Sequence, residues 1–140
     1  MSLDIEYLLK ALDNDDNTSV IKLNHTIVNR QKNDMLQRSG LDRNTLIKYN
    51  KSLKQYRYID DVSEIRFGAY VRWIPLLNPN NITLLNGGFI CDVKINSDVI
   101  VVCKNRFNNI FEFKMSNCLV FQKLSDEEKI LLSAMEYLNN

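Results

Sequence analysis

Between residues 69 and 122 the chain reverses direction too often, over loops too short, for anything but an antiparallel sheet. Near Gly68 the apolar residues stop recurring at helical spacing and begin to alternate. Residues 69–74 are branched and aromatic and end at Pro75, as a strand would. In the next run Phe89, Cys91, Val93 and Ile95 share one face, with Asp92 and Lys94 on the other. Residues 99–103, 110–115 and 118–122 follow, and Phe111, Phe113 and Met115 alternate with Glu112 and Lys114. Asn96-Ser97-Asp98 and residues 105–109 supply turns, and Asn86-Gly87 reads as a hairpin between strands 82–85 and 89–95. A parallel crossover consumes about a dozen residues or more, so these connections leave only antiparallel pairing. Five or six such strands can curl into a small barrel.

Helical spacing dominates on either side. Ile5, Leu8, Leu9 and Leu12 predict a helix over residues 3–12, broken by the acidic, Asn-rich run 13–17. Val20, Leu23, Ile27, Val28 and Met35 predict another from residue 18 to about 38, stopped by Ser39-Gly40. Asp42 is placed to cap a third over about 43–56. Its Leu46, Tyr49, Leu53 and Tyr56 share a narrow arc, with Arg43, Lys48, Lys51 and Lys54 mostly opposite. Ser125 and Glu128 have capping-box spacing, and Asp126 and Glu127 suit the positive end of a helix dipole. In that last helix Ile130, Leu131, Ala134, Met135, Tyr137 and Leu138 make a wide apolar side. The expected class is α+β: two or three helices, a five- to six-stranded antiparallel sheet or small barrel, and one C-terminal helix. A helical, basic region 1–61 and a sheet-plus-helix region 62–140 should form one compact unit, since 140 residues suit a single core.

Several chemistries are not expected. The N-terminus carries acids where a secretory signal has basic residues, and no stretch approaches the length of a membrane span. A cytoplasmic protein is the expectation. In that setting Cys91, Cys103 and Cys118, each among apolar residues, read as reduced and mostly buried thiols. His25 is the only histidine, and with three scattered cysteines it makes no recognised metal-ligand spacing. Tyr58-Ile59-Asp60-Asp61 spells the Tyr-x-Asp-Asp of polymerase palms, but the chain is too short for that fold, so two exposed acids in a turn are expected. Gly87-Gly88 lacks the strand, helix and Lys-Ser/Thr of a phosphate loop. We expect neither an enzyme nor a cofactor, and no small-molecule substrate.

The charge distribution says more than the net charge of +1. Between Val20 and Tyr58 nine basic residues face two acids, a local +7. Residues 1–19 carry −4 and the final helix −3. A basic helical surface can hold phosphates by counterion release, which nominates Arg43, Lys48, Lys51 and Lys54. Arg72, Lys104, Arg106 and Phe107 are a second set, because a loop aromatic beside an arginine can stack on a base; Phe107 could equally fold back over the end of the barrel. The leading expectation is a protein–protein adaptor that docks through Leu131, Leu132 and Met135 on the last helix. The alternative is an accessory protein that contacts DNA or RNA through the basic residues.

Two resemblances add context. Residues 62–72, Val-Ser-Glu-Ile-Arg-Phe-Gly-Ala-Tyr-Val-Arg, resemble the opening of SH3-like barrels, where a Gly turn delivers the first strand. The run 56–138 resembles small uncharacterised proteins of nucleocytoplasmic large DNA viruses. The residues that carry this are Tyr56-Arg57-Tyr58-Ile59-Asp60-Asp61, Gly68-Ala69-Tyr70-Val71-Arg72-Trp73-Ile74, Asn86-Gly87-Gly88, Cys103-Lys104-Asn105 and 121–128. This resemblance implies a viral protein of the host-cell cytoplasm or the virion, and it implies no activity.

Overall fold

Residues 5–138 are described in a computed structural model of the chain. The expected helix start at residue 3 and the last two residues lie outside them. The elements run α1 (Ile5–Asp13), a 3-10 helix (Asp15–Val20), α2 (His25–Arg38), α3 (Arg43–Ser52), β1 (Tyr56–Ile59), a 3-10 helix (Val62–Glu64) and β2 (Tyr70–Pro75). There follow β3 (Gly88–Ile95), β4 (Val99–Lys104), β5 (Ile110–Lys114), a 3-10 helix (Met115–Asn117), β6 (Cys118–Lys123) and α4 (Asp126–Leu138).

Local chemistry sets most of the boundaries. Asp42 accepts the Thr45 N–H at 2.8 Å and starts α3. Gly40, at φ +81°, closes the turn after α2. Ser125 and Glu128 form the expected reciprocal box, with Ser125 N–H to Glu128 Oε1 at 2.9 Å and Glu128 N–H to Ser125 Oγ at 3.0 Å. The helix expected over 18–38 is two pieces, because Asn24 caps α2 by accepting the Ile27 N–H at 2.8 Å. Asn14 caps the preceding 3-10 helix.

All strands pair antiparallel, in the order β1-β6-β2-β3-β4-β5. The SH3-like barrel is not formed: β1 and β5 are the two edges of an open sheet. Yet the sheet is rolled. Trp73 on β2 stacks on Phe113 on β5 with ring centroids 4.3 Å apart, although two strands separate them in the ladder. Across a flat sheet the same step is about 14 Å. The register shift between Ile90 and Asp92 leaves Cys91 as an extra residue on β3 and increases the local twist. Ile59, Val71, Trp73, Ile90, Val101, Cys103, Phe113, Met115 and Val120 fill the inside of the roll. A stacked pair of side chains, rather than a closing ladder, brings β5 against β2.

The opposite face of β2 and β6 carries the helices. Ile74, Leu119 and Phe121 pack with Leu36 of α2, Leu53 and Leu84. Val20, Val28, Leu124 and Leu132 join α4 to the N-terminal segments. Two strand assignments change. Residues 82–85 are not a strand, and Asn86-Gly87 does not turn a hairpin: the Leu84 N–H donates to Tyr49 Oη of α3 at 3.2 Å, and Leu85 N–H to the Trp73 carbonyl at 2.9 Å. Conversely, residues 56–59 are β1, so α3 stops short of the expected Tyr56 and the expected turn begins only after Ile59, because Leu53 caps that helix and burial then alternates.

Two cations of the basic segment are interior. Lys32 is 3% exposed, and its Nζ donates to the carbonyls of Leu53 and Tyr56 at 2.8 and 2.9 Å. Burial lowers its pKa to about 8. Arg57 is 2% exposed and faces Glu64 at 3.1 Å and Glu128 at 3.5 Å, while its Nη2 donates to Ser19 Oγ at 2.7 Å. Arg66 reaches the same Glu128 at 3.3 Å. Gln122 accepts the Arg66 N–H and donates to the Glu64 carbonyl. Burial holds the Glu64 carboxyl above its ordinary range, against the Asp60 backbone N–H and the Arg57 charge. This knot ties the N-terminal 3-10 helix, β1, the 62–66 segment, β6 and α4 together.

Candidate functional site

At the end of the sheet where β2, β3 and β5 begin and β4 finishes lies a groove of about 690 Å³. Its aromatic lining is Tyr70, Trp73, Phe89, Phe107 and Phe111, and Arg106, Asn86 and Asn105 supply polar groups. No carboxylate lines it. Tyr70 and Phe89 meet edge to face at 5.0 Å, as cross-strand partners.

One wall is the segment that leads into β3. It lies so close to β2 that a Cβ on residue 87 would fall 1.4 Å from the Val71 carbonyl oxygen, so Gly87 is there for close approach. Arg72 fastens the same wall: Nε donates to the Leu85 carbonyl at 3.0 Å and Nη2 reaches Asn86 Oδ1 at 3.5 Å.

The other wall is the β4–β5 turn, built around Asn105. Its Oδ1 accepts the N–H groups of Phe107 and Asn109 at 2.9 and 3.0 Å, and its backbone N–H and C=O bond to residues 109 and 108. Asn108 takes φ +66°, which an asparagine tolerates. The turn is therefore a preset platform. It holds Phe107 70% exposed, with the Arg106 guanidinium carbon 5.1 Å from the ring centroid. Phe107 does not fold back over the sheet.

The sequence nominees separate into three groups. Arg106 and Phe107 meet in the groove, Arg72 holds its wall, and Lys104 is exposed on β4 beside it. Arg43, Lys48, Lys51 and Lys54 are exposed on or just after α3, which backs the 82–87 segment through Tyr49. Leu131 and Leu132 are wholly buried and Met135 half-buried, so these three side chains face the core, while Tyr137 and Leu138 at the end of α4 are exposed. In the sequence Tyr70, Phe89 and Phe111 are ordinary strand residues; only their register across the sheet brings them together. Asp60 and Asp61 are exposed as expected, and Asp61 caps the Val62–Glu64 turn.

The thiols depart from expectation at one position. All three are free. Cys103 is buried and its pKa is raised to about 12, and Cys118 is half-buried and raised to about 11, in both cases by burial. Cys91 is exposed, because it is the extra residue of the β3 irregularity. Among the described residues no group of three or more His, Cys, Asp or Glu side chains is placed to hold a metal, and no helix is long and apolar enough to cross a membrane.

The fold and groove define an α+β domain on a rolled, open antiparallel sheet, with an aromatic and cationic groove at one end. The chain is similar to an uncharacterised protein, L202, of Acanthamoeba polyphaga mimivirus, with 30% identity over 80 residues, 57% of this chain and 52% of the relative. It thus spans about half the length of that relative, and the match agrees with the expected likeness to proteins of large DNA viruses. No family model matches the chain, and no solved structure matches it.

Proposed function

We propose that this domain binds single-stranded nucleic acid, stacking a base on Phe107 and within the aromatic groove. The observation that carries the reading is the platform itself: an exposed ring under an arginine, held out by a hydrogen-bonded turn, in a groove with no carboxylate. Every base has a π face, so stacking tolerates sequence, and each stacked base contributes about 1–3 kcal/mol. A duplex hides those faces. The exposed cations of α3 supply weaker, longer-range attraction to phosphates.

Fluorescence anisotropy with labelled single-stranded and duplex oligonucleotides tests this. The single strand should bind more tightly than the duplex. Phe107→Ala should weaken it about 5- to 150-fold, the equivalent of one stacked base, without moving the melting temperature. Equal affinity for both forms, or an unaffected Phe107→Ala variant, would refute it.

A second reading keeps the adaptor but moves its surface. Ile5, Leu9 and Leu12 of α1 are 67%, 56% and 38% exposed, at helical spacing. Leu9→Glu should then abolish capture of a protein partner that survives nuclease treatment. A partner retained by the variant would end that reading.

A further inference from the structure

A second hollow, of about 420 Å³, is lined by Tyr56, Arg66, Tyr70, Phe89 and Lys123, with Ser125 at its margin. It shares Tyr70 and Phe89 with the aromatic groove, so the two depressions meet over that edge-to-face pair. No carboxylate lines it either.

The ladder shows why they align. Tyr56 on β1 is opposite Lys123 on β6, and one step beyond the Val71–Gln122 pair Tyr70 comes level with Lys123. Tyr70 is opposite Phe89, Phe89 opposite Lys104, and Lys104 opposite Ile110. One transverse row thus crosses all six strands, with a lysine on each side of the paired rings: Tyr56, Lys123, Tyr70, Phe89, Lys104, Ile110. Neighbouring strands are about 4.8 Å apart, so five steps span about 24 Å along the sheet. Single-strand sites on small β domains start at about four nucleotides.

The cations along the row differ. The Arg66 guanidinium is anchored by the Lys123 carbonyl at 3.0 Å and by Glu128 at 3.3 Å, and Glu128 also faces Arg57. Lys123 and Lys104 are exposed and make no ion pair among the described residues. The row therefore offers uncompensated positive charge on both sides of the Tyr70–Phe89 pair. Arg72 adds to it from the shared wall, close enough that its charge opposes the burial that raises the Tyr56 phenol.

We propose that the second hollow is a phosphate subsite for the same single strand, with Lys123 as the contact and Arg66 as its fixed neighbour, so that the strand crosses the sheet along this row. The inference rests on the single-strand reading of the groove and assigns a direction and a minimum length to it. A dinucleotide seated at Phe107 ends short of Lys123; a longer strand passes over Tyr70 and Phe89 to reach it.

Thymidine and uridine oligonucleotides of two and of about eight nucleotides, titrated at several salt concentrations, separate the two claims. The variants are Phe107→Ala and Lys123→Gln, both at exposed side chains, with thermal melts to confirm an intact fold. Phe107→Ala should weaken both lengths. Lys123→Gln should leave the dinucleotide unchanged, weaken the longer strand, and reduce its log–log salt slope by about 0.7, the increment for one phosphate contact on a single strand. A wild-type slope in Lys123→Gln, with Phe107→Ala still impaired, would overturn the second subsite and leave the groove reading standing. Equal loss on both lengths would place Lys123 in the groove itself and also overturn it. No binding of either length by the wild type would overturn both readings. The thymidine and uridine arms report whether a DNA strand, an RNA strand or either one is bound.

Discussion

Lys32 shows how far position outweighs residue type. In the sequence it is one of nine cations in a basic run; in the fold it is a buried donor that satisfies the last carbonyls of α3 and the start of β1. Its pKa falls from 10.5 to about 8, so between those values the unfolded chain binds more protons than the folded one. Stability from this residue therefore rises as pH goes from about 8 to 10.5, the reverse of the trend for the buried thiols, whose raised values cost stability as the medium turns alkaline. Urea denaturation of wild type and Lys32→Met across this range should show the difference growing in favour of the wild type. A constant difference would mean that Lys32 titrates normally. At neutral pH a thiol reagent should label Cys91 fast and leave Cys103 and Cys118 slow until the protein is unfolded; three equal rates would contradict the burial. Composition and alternation placed Cys103 and Cys118 in a sheet, but no pattern marked Cys91 as an added residue, because an irregularity in one strand is defined only against its partner.

At the level of elements, those with chemical punctuation were legible. Asp42, Ser39-Gly40 and the Ser125–Glu128 box mark ends that any helix must satisfy, and the structure uses each. β1 and residues 82–87 were not legible, because tertiary contacts decide them: Tyr56 continues the helical arc of Leu46, Tyr49 and Leu53, and Asn86-Gly87 looks like a turn. The glycine answers to a different demand. Gly87→Ala should lower unfolding free energy and disrupt the groove wall, since the Val71 carbonyl leaves no space for a methyl group. A hairpin glycine of open geometry would tolerate alanine better. α4 provides a graded comparison. Ser125→Ala should cost about 1 kcal/mol, an ordinary capping loss. Glu128→Ala removes the other half of the capping box and strips buried Arg57 and partly exposed Arg66 of a shared partner, so about 3–5 kcal/mol is expected. Equal losses in the two variants, measured by chemical denaturation, would show the knot to be energetically idle.

Over the whole molecule, the sequence pattern was sufficient for class and order but not for shape. Alternation and short loops dictate antiparallel strands; they do not say how far the sheet rolls or whether its ladder closes. The candidate site was half legible. Arg106 and Phe107 stand together in one turn, but the rings that complete the groove come from three strands and meet only through register. The knot around Arg57 also has a consequence in time. Its members are Ser19, Arg57, Glu64, Arg66, Gln122 and Glu128, so everything from residue 19 to residue 128 must be synthesised before it can close. On the ribosome α1 and α2 emerge first and remain without β6 and α4 until those segments have been made. Docking of β6 and α4 onto those helices follows their emergence, and any contact made after the rate-limiting barrier governs how long the native state lasts more than how fast it is reached. If the knot closes after that barrier, weakening Glu128 shortens the lifetime of the finished protein and leaves its rate of assembly almost untouched; a slowed refolding rate in Glu128→Ala would place the knot before it.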